Sequence, residues 1–385
     1  MSHHQATGGR ILTIPFLLLS LLALAAVWIL GERFFYGLGS VTNINDGFPW
    51  GIWVVYDVVV GTGLACGGYV LALTVYIANK GRYHPLVRPA LLASLFGYSL
   101  GGIGALVDMG RYWNFYQMFN PSQQNYNSVM LEVGLCVSAY AIILLIEFLP
   151  VILEKINADA WKRKLEKVLF VFIAIGVLLP SMHQSSLGSL LIAMGHKVTP
   201  LWQSLHLMPV LALITAILLG FSIVIFEGSM VSVGLRRPSE SHLLTGLTKI
   251  IVGLLVLYLV IRFADLIMRG ALGHAFAGDL RGNMFLIETL LFVVPLVILA
   301  QEQLRRRGPY LLVAAVSLIL AGALYRFNAF LIGWEPGGGY VYFPSAKEIL
   351  VSIGMVAIEI VGYLIIVKTF PVLPRVHGNA SGAHA

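Results

Sequence analysis

The stretch ILTIPFLLLSLLALAAVWIL, from Ile11 to Leu30, contains no charged residue. At about 1.5 Å per residue, a helix of that length crosses the ~30 Å hydrocarbon core of a bilayer. The run is longer than a signal-peptide core, and no small-residue cleavage site follows it, so it is expected to be retained as a first membrane span. Comparable runs recur along the chain. Of its 385 residues, 58% are hydrophobic and 11% charged, whereas about a quarter of a soluble domain is charged. A membrane barrel would instead show short alternating segments. The expected fold class is therefore an all-α integral membrane protein.

The runs predict ten transmembrane helices, near 11–31, 51–79, 89–108, 127–150, 165–183, 203–230, 247–268, 283–303, 309–332 and 346–370. The 25 Lys and Arg residues test that count. Arg33, Arg111, Lys197, Arg269, Arg281 and Lys347 fall on one side, Arg262 and Arg326 fall inside spans, and the other 17 fall on the opposite side. Lys and Arg concentrate in cytoplasmic loops, so both termini are expected in the cytoplasm, with the chain in a bacterial inner membrane. The net charge of +7 then reflects loops of this kind, and nucleic acid is not an expected partner. Cys66 and Cys136 lie in apolar runs without CxxC spacing, which argues against an iron–sulfur or zinc site in this chain. Trp50, Trp113, Trp202 and Trp334 fall where an interfacial aromatic belt is expected, or a surface for another protein.

Charged groups inside spans are costly and tend to be functional. Asp57, Asp108, Arg111, Glu132, His183, Arg262, Asp265, Glu288 and Arg326 lie toward the outer side. Glu147 and Glu227 lie toward the inner side, with Tyr98 and Glu359 near mid-depth. Arg262 and Asp265, three residues apart, share a helix face and are expected to pair. Asp57, Glu132 and His183 have no partner nearby in sequence. In VLLPSMHQSSLGSL, Val177 to Leu190, Pro180 is expected to loosen the end of the fifth span. That would free His183, Gln184, Ser185 and Ser186 for hydrogen bonding, and a neutral imidazole there can pass a proton. The plain alternative is a histidine that caps its own helix.

Three chemistries suit such a chain. A quinone-reactive subunit needs an apolar pocket and a few proton donors. A haem b cytochrome needs facing axial histidines, and only His183 and His206 lie near spans at similar depth. A secondary transporter favours broken helices and internal repeats, but GTGLACGG and GYSLGGIG read more simply as close helix packing.

Several stretches, DGFPWGIWVVYD (46–57), GTGLACGGYVLAL (61–73), YHPLVRPALLASLFGYSLGG (83–102), DMGRYWN (108–114), LLPSMHQSSLGSL (178–190), TPLWQS (199–204), GFSIVIFEGS (220–229), AFAGD (275–279) and EPGGGYVYFP (335–344), resemble the NrfD/polysulfide reductase membrane-subunit family. Within that family they look more like members that serve hydrogenase 2-type nickel–iron enzymes. The resemblance implies one transmembrane domain over 1–385. It would hold a first helix and outer loop (11–50), two antiparallel four-helix bundles (51–200 and 201–335), and a last helix with a cytoplasmic tail (336–385). It implies a chain without haem or iron–sulfur cluster that reduces menaquinone or ubiquinone. Electrons would come from a periplasmic ferredoxin-like iron–sulfur subunit, fed in turn by the small and large subunits of a [NiFe] hydrogenase. The implied quinone pocket is Asp57, Arg111, Tyr112, Glu132 and His183, with His183, Glu132 and Asp57 protonating the quinone. Arg111 would stabilise the charge that develops. Tyr98, Glu132, His183 and Glu227 are the implied proton path.

Overall fold

The computed structural model describes residues 4–235, 237 and 241–374. Arg236 and Arg375, counted above on the basic side, and the tail from residue 375 lie outside them. Ten helices among the described residues are long and apolar enough to cross a membrane: Ile14–Tyr36, Trp53–Ile77, Gly81–Asp108, Val129–Lys155, Leu169–Lys197, Met208–Gly234, His242–Met268, Leu280–Ala300, Gly308–Ile332 and Ala346–Thr369. They are called here the first to tenth spans. The chain is an all-α multi-pass membrane protein.

The second to fifth spans pack in a closed ring, each on its sequence neighbour and the fifth back on the second. The sixth to ninth form a second ring, and the sixth also packs on the second and fifth. The first span packs mainly on the tenth and turns Leu17, Leu21, Leu24 and Trp28 outward, as lipid contact demands. The two chain ends meet on one face. There, β1 (His4–Gln5) pairs antiparallel with β2 (Leu373–Pro374), His4 opposite Pro374. This is called the termini face below. Burial, reinforced by the charge of Arg88, lowers the His4 imidazole there to about 4.

The second span is the most enclosed, and it is not a regular helix. Trp53–Val60 and Leu73–Ile77 are π-helical, and the chain turns at Ala65 and Cys66 between two short α segments. Such wide turns weaken the backbone ladder and recur at functional sites. Side chains supply part of what the ladder loses. Thr62 Oγ1 donates to the Val58 carbonyl (2.6 Å), Cys66 Sγ to the Thr62 carbonyl (3.2 Å) and Thr74 Oγ1 to the Val70 carbonyl (2.7 Å). Glycines on neighbouring spans make room for the turn. A Cβ on Gly220 would stand 2.5 Å from the Cys66 carbonyl oxygen, and one on Gly97 would stand 2.6 Å from Ala65 Cβ. Gly220→Val is therefore expected to force the second and sixth spans apart and cost about 1–3 kcal/mol. A melting temperature of the detergent-purified protein equal to that of the parent would reject this packing account.

Two expectations are corrected here. The fifth span does not end near His183 but runs from Leu169 to Lys197. The polar residues after Pro180 look like a boundary, yet they bond within the protein. Ser181 Oγ donates to the Val177 carbonyl and Ser186 Oγ to the Met182 carbonyl, both at 2.8 Å. His183 thus sits 14 residues from either end of its span, and it caps nothing. The aromatic belt is also thinner than expected. Trp50 and Trp202 are buried, and Trp50 Nε1 donates to the Phe330 carbonyl (2.8 Å). Trp334 Nε1 donates to the Gly47 carbonyl (2.9 Å), while Trp113 is exposed. Trp50 thus ties its loop to the ninth span, and Trp334 ties two loops of the face opposite the termini.

Candidate functional site

A fully buried polar cluster lies where the second, third, fifth, sixth and ninth spans meet. His183 Nε2 is 2.9 Å from Thr62 Oγ1. That hydroxyl also accepts from Gln184 Nε2 at 3.2 Å. Gln184 Oε1 in turn accepts from Arg326 Nη2 at 3.0 Å. Arg326 Nη1 donates to Thr215 Oγ1 at 3.1 Å. The guanidinium fits because Gly63 faces it: a Cβ there would lie 3.0 Å from Arg326 Nε. Tyr98 completes the cluster. Its ring packs edge-on against Tyr140 (4.5 Å between centroids) and His183 (5.9 Å), and its hydroxyl lies 3.7 Å from Cys66 Sγ. His183 Nδ1 and Arg326 Nε are buried without a hydrogen-bond partner. Both unused atoms can take a ligand or a water, since buried polar atoms are rarely left alone.

Asp57 lies five residues before Thr62 on the same span, nearer the face opposite the termini. It is 6% exposed, and its Oδ2 has no partner. Only a glycine admits it, since a Cβ on Gly104 would stand 2.7 Å from Asp57 Cβ. Thr62 and Asp57 both face the third span, where Gly101 approaches each. A latch covers this end. Glu348 Oε1 accepts from the Tyr342 hydroxyl (2.5 Å), and Glu348 Oε2 accepts from the Ser345 and Asn43 amides (2.7 and 2.9 Å). The Tyr342 oxygen also accepts from the Ile52 amide (2.9 Å). Burial first, then the carboxylate of Glu348, raise the Tyr342 phenol well above its ordinary value.

The other expected residues scatter. His183 and Tyr98 come together. Glu132 is half-buried in the first turn of the fourth span, with no direct hydrogen bond into the cluster. Arg111 is exposed. Tyr112 stacks beneath the Arg33 guanidinium (4.9 Å) and against Phe34, away from His183. Glu227 lies toward the termini face, where it accepts from the Tyr363 hydroxyl. Arg262 does not pair with Asp265. It pairs with Glu288 at 3.4 Å, because Asp265 is taken by Arg269 (2.6 Å) and Ser204 (2.8 Å). Thr62 and Cys66 were passed over because GTGLACGG read as packing glycines. The weak signal was a threonine and a cysteine four apart, one helix face, within that run.

The family model for "Polysulphide reductase, NrfD" matches residues 40–333. The chain belongs to the NrfD family. A relative from Escherichia coli K12, the "Probable Ni/Fe-hydrogenase 2 b-type cytochrome subunit", is 47% identical over 100% of this chain and 99% of its own. A Nitratidesulfovibrio vulgaris protein is 32% identical over 99% of this chain and 100% of its own. The same organism's "Menaquinone reductase, integral membrane subunit" is 31% identical over 43% of this chain and 39% of its own. With this family and architecture, the chain is a membrane subunit of a respiratory reductase complex.

On cofactors, one expectation is overturned. The E. coli relative is named a b-type cytochrome subunit, which points to haem b and conflicts with a chain that binds none. A b-type haem is commonly held by paired imidazoles on facing spans. His183 offers one buried ring with a free Nδ1. No second histidine faces it among the described residues: His84, His196, His206, His242 and His274 are exposed, and His4 lies in the terminal strand. The described side chains therefore fit one axial position and not the pair.

Proposed function

We propose that this NrfD-family subunit passes electrons from an iron–sulfur partner to menaquinone or ubiquinone and couples their reduction to proton transfer. The partner is the ferredoxin-like subunit of a complex containing [NiFe] hydrogenase small and large subunits. The 17-to-6 division of Lys and Arg supports an inner-membrane orientation with the termini face in the cytoplasm. The observation that carries the reading is the relay from His183 through Thr62 and Gln184 to Arg326, wholly enclosed by spans. A purely structural contact would leave no imidazole nitrogen uncommitted, and burying one is costly.

Reducing a quinone to the quinol takes two electrons and two protons. Among the described residues of the first ring, His183 Nδ1 and Asp57 Oδ2 are buried titratable atoms without a hydrogen-bond partner. Thr62 fixes the imidazole so that Nδ1 points away from its partner. Arg326, held through Gln184, is a fixed cation that favours negative charge developing nearby, and it needs no reorganisation to do so. A groove of about 440 Å³ between the third and fourth spans is lined by Leu95, Phe96, Ser99, Ala141, Ile142 and Leu145. It opens outward, where Ile142 and Leu145 are exposed, and offers an apolar wall to an isoprenoid tail. Glu132 can deliver protons from its end of the fourth span. Arg111 and Tyr112 are better placed to meet the partner subunit.

His183→Ala tests this. In membranes carrying the complex, hydrogen-driven quinone reduction is expected to fall at least about a hundredfold, the low end for loss of a general acid or base. Reduction of an artificial dye by the hydrogenase subunits should persist. Unchanged quinone reduction would reject the reading.

A further inference from the structure

The tenth span lies beyond the family match, which ends at residue 333, yet it places polar groups against a matched span. Tyr363 donates its hydroxyl to Glu227 of the sixth span. Glu227 is seven residues from the end of its span at Gly234, and Tyr363 is six from the end of its own at Thr369. Both are therefore about 10 Å from the termini face at about 1.5 Å per residue. Glu359 is one turn further in, on the same face of the tenth span as Tyr363. The tenth span packs on the first π-helical segment of the second span, which carries Tyr56 and Asp57. Counted from the span ends at the termini face, Glu227 and Tyr363 come first, then Glu359, then Tyr56 and Asp57.

The bland account is that the Glu227–Tyr363 bond merely pins the last span. It leaves Glu359 unexplained. Packing alone would not set a second acid beside Glu227 inside the membrane. Among the described residues, no cation forms an ion pair with either acid. Unpaired acids at that depth mark ion or proton routes.

We propose that Glu359 and Tyr363 of the last span extend Glu227 into a proton half-path from the termini face toward Asp57. The inference rests on the proton-coupled quinone reduction proposed above. Carboxyl and phenol groups alternate along it. Each accepts a proton on one side and releases one on the other, so net transfer leaves the chain unchanged. The two protons taken up per quinol would then be drawn from the termini side.

The test uses the whole complex in liposomes with a potential-sensitive dye, driven by hydrogen and quinone. The potential generated per hydrogen oxidised is compared for the parent, Glu359→Gln and Tyr363→Phe, with artificial-dye reduction as the check on assembly. Each variant is expected to lose most of that ratio, because the protons then have to enter from the opposite face. Glu359→Asp, which keeps the carboxyl, should recover part of it. Parental ratios in both Glu359→Gln and Tyr363→Phe would overturn the half-path while leaving quinone reduction standing. A parent complex that reduces quinone without generating potential would overturn the proton coupling, and this inference with it. If Glu359→Gln fails to assemble, Tyr363→Phe alone decides.

Discussion

Arg326→Met is expected to lower hydrogen-driven quinone reduction by about a hundredfold or more, the scale seen when one preorganised donor is removed from a buried reaction site. The guanidinium is 2% exposed and joins three spans, since its donors reach Gln184 on the fifth, Thr215 and the Ala212 carbonyl on the sixth, and the Gly322 carbonyl on its own. Methionine fills much of the same volume but donates nothing. Gln184 would lose the bond that orients it, and Gln184 in turn helps to hold the hydroxyl on which His183 rests. Arg326→Lys keeps the charge but not the planar fork, so it should fall between the two. The measurement is steady-state quinone reduction by the purified complex, normalised to dye reduction. If Arg326→Met kept half of the parental rate or more, Arg326 would be a packing residue, and the relay would end at Gln184.

What could be read from the chain, and what could not, divides by range. Each span is a local property, a run of apolar residues about as long as the bilayer is thick, so the ten spans and the all-α class needed no partner to be seen. The fifth span failed at its far end because Pro180 and the polar residues after it imitate a boundary. What keeps that helix going is supplied from elsewhere: Thr62 is 121 positions from His183, and Arg326 is 142 from Gln184. No spacing rule reaches that far. The same limit explains Arg262, whose sequence neighbour Asp265 was the obvious partner. Arg269, at i+4, outcompetes it with a bond at 2.6 Å. Asp57 and His183 could be singled out as costly groups without local partners, and that is how they stand in the fold. Arg111 and Tyr112 were placed by resemblance, and depth alone could not show that one points to solvent and the other to Arg33.

The ninth span carries two polar clusters on different faces. Arg326 serves the His183 side, while Tyr325 and Asn328 turn to Arg262 and Glu288 of the second ring. Glu288 is 1% exposed. It accepts from Trp202 Nε1 (2.7 Å) and Asn328 Nδ2 (2.8 Å), and it pairs with Arg262 at 3.4 Å. Arg262 lies over the rings of Phe285 and Tyr325, at 5.5 and 5.1 Å. Glu288→Leu would strand that cation among aromatic rings and remove the acceptor of two further donors. Breaking a buried pair on one side costs about 3–5 kcal/mol, enough to take a large part of a typical domain's stability. Little assembled protein is expected in membranes, with a sharply lower melting temperature in detergent. Removing the cation as well reverses the sign of the largest contribution. Arg262→Met combined with Glu288→Leu should be more stable than Glu288→Leu alone, because no unpaired charge remains. Recovery should stay incomplete, since Trp202 and Asn328 keep donors without an acceptor. A double-mutant cycle on melting temperature reads the coupling directly. If the double variant were no more stable than Glu288→Leu, the charge pair would not be what holds this cluster. The indole and amide bonds to Glu288 would then carry the ring on their own.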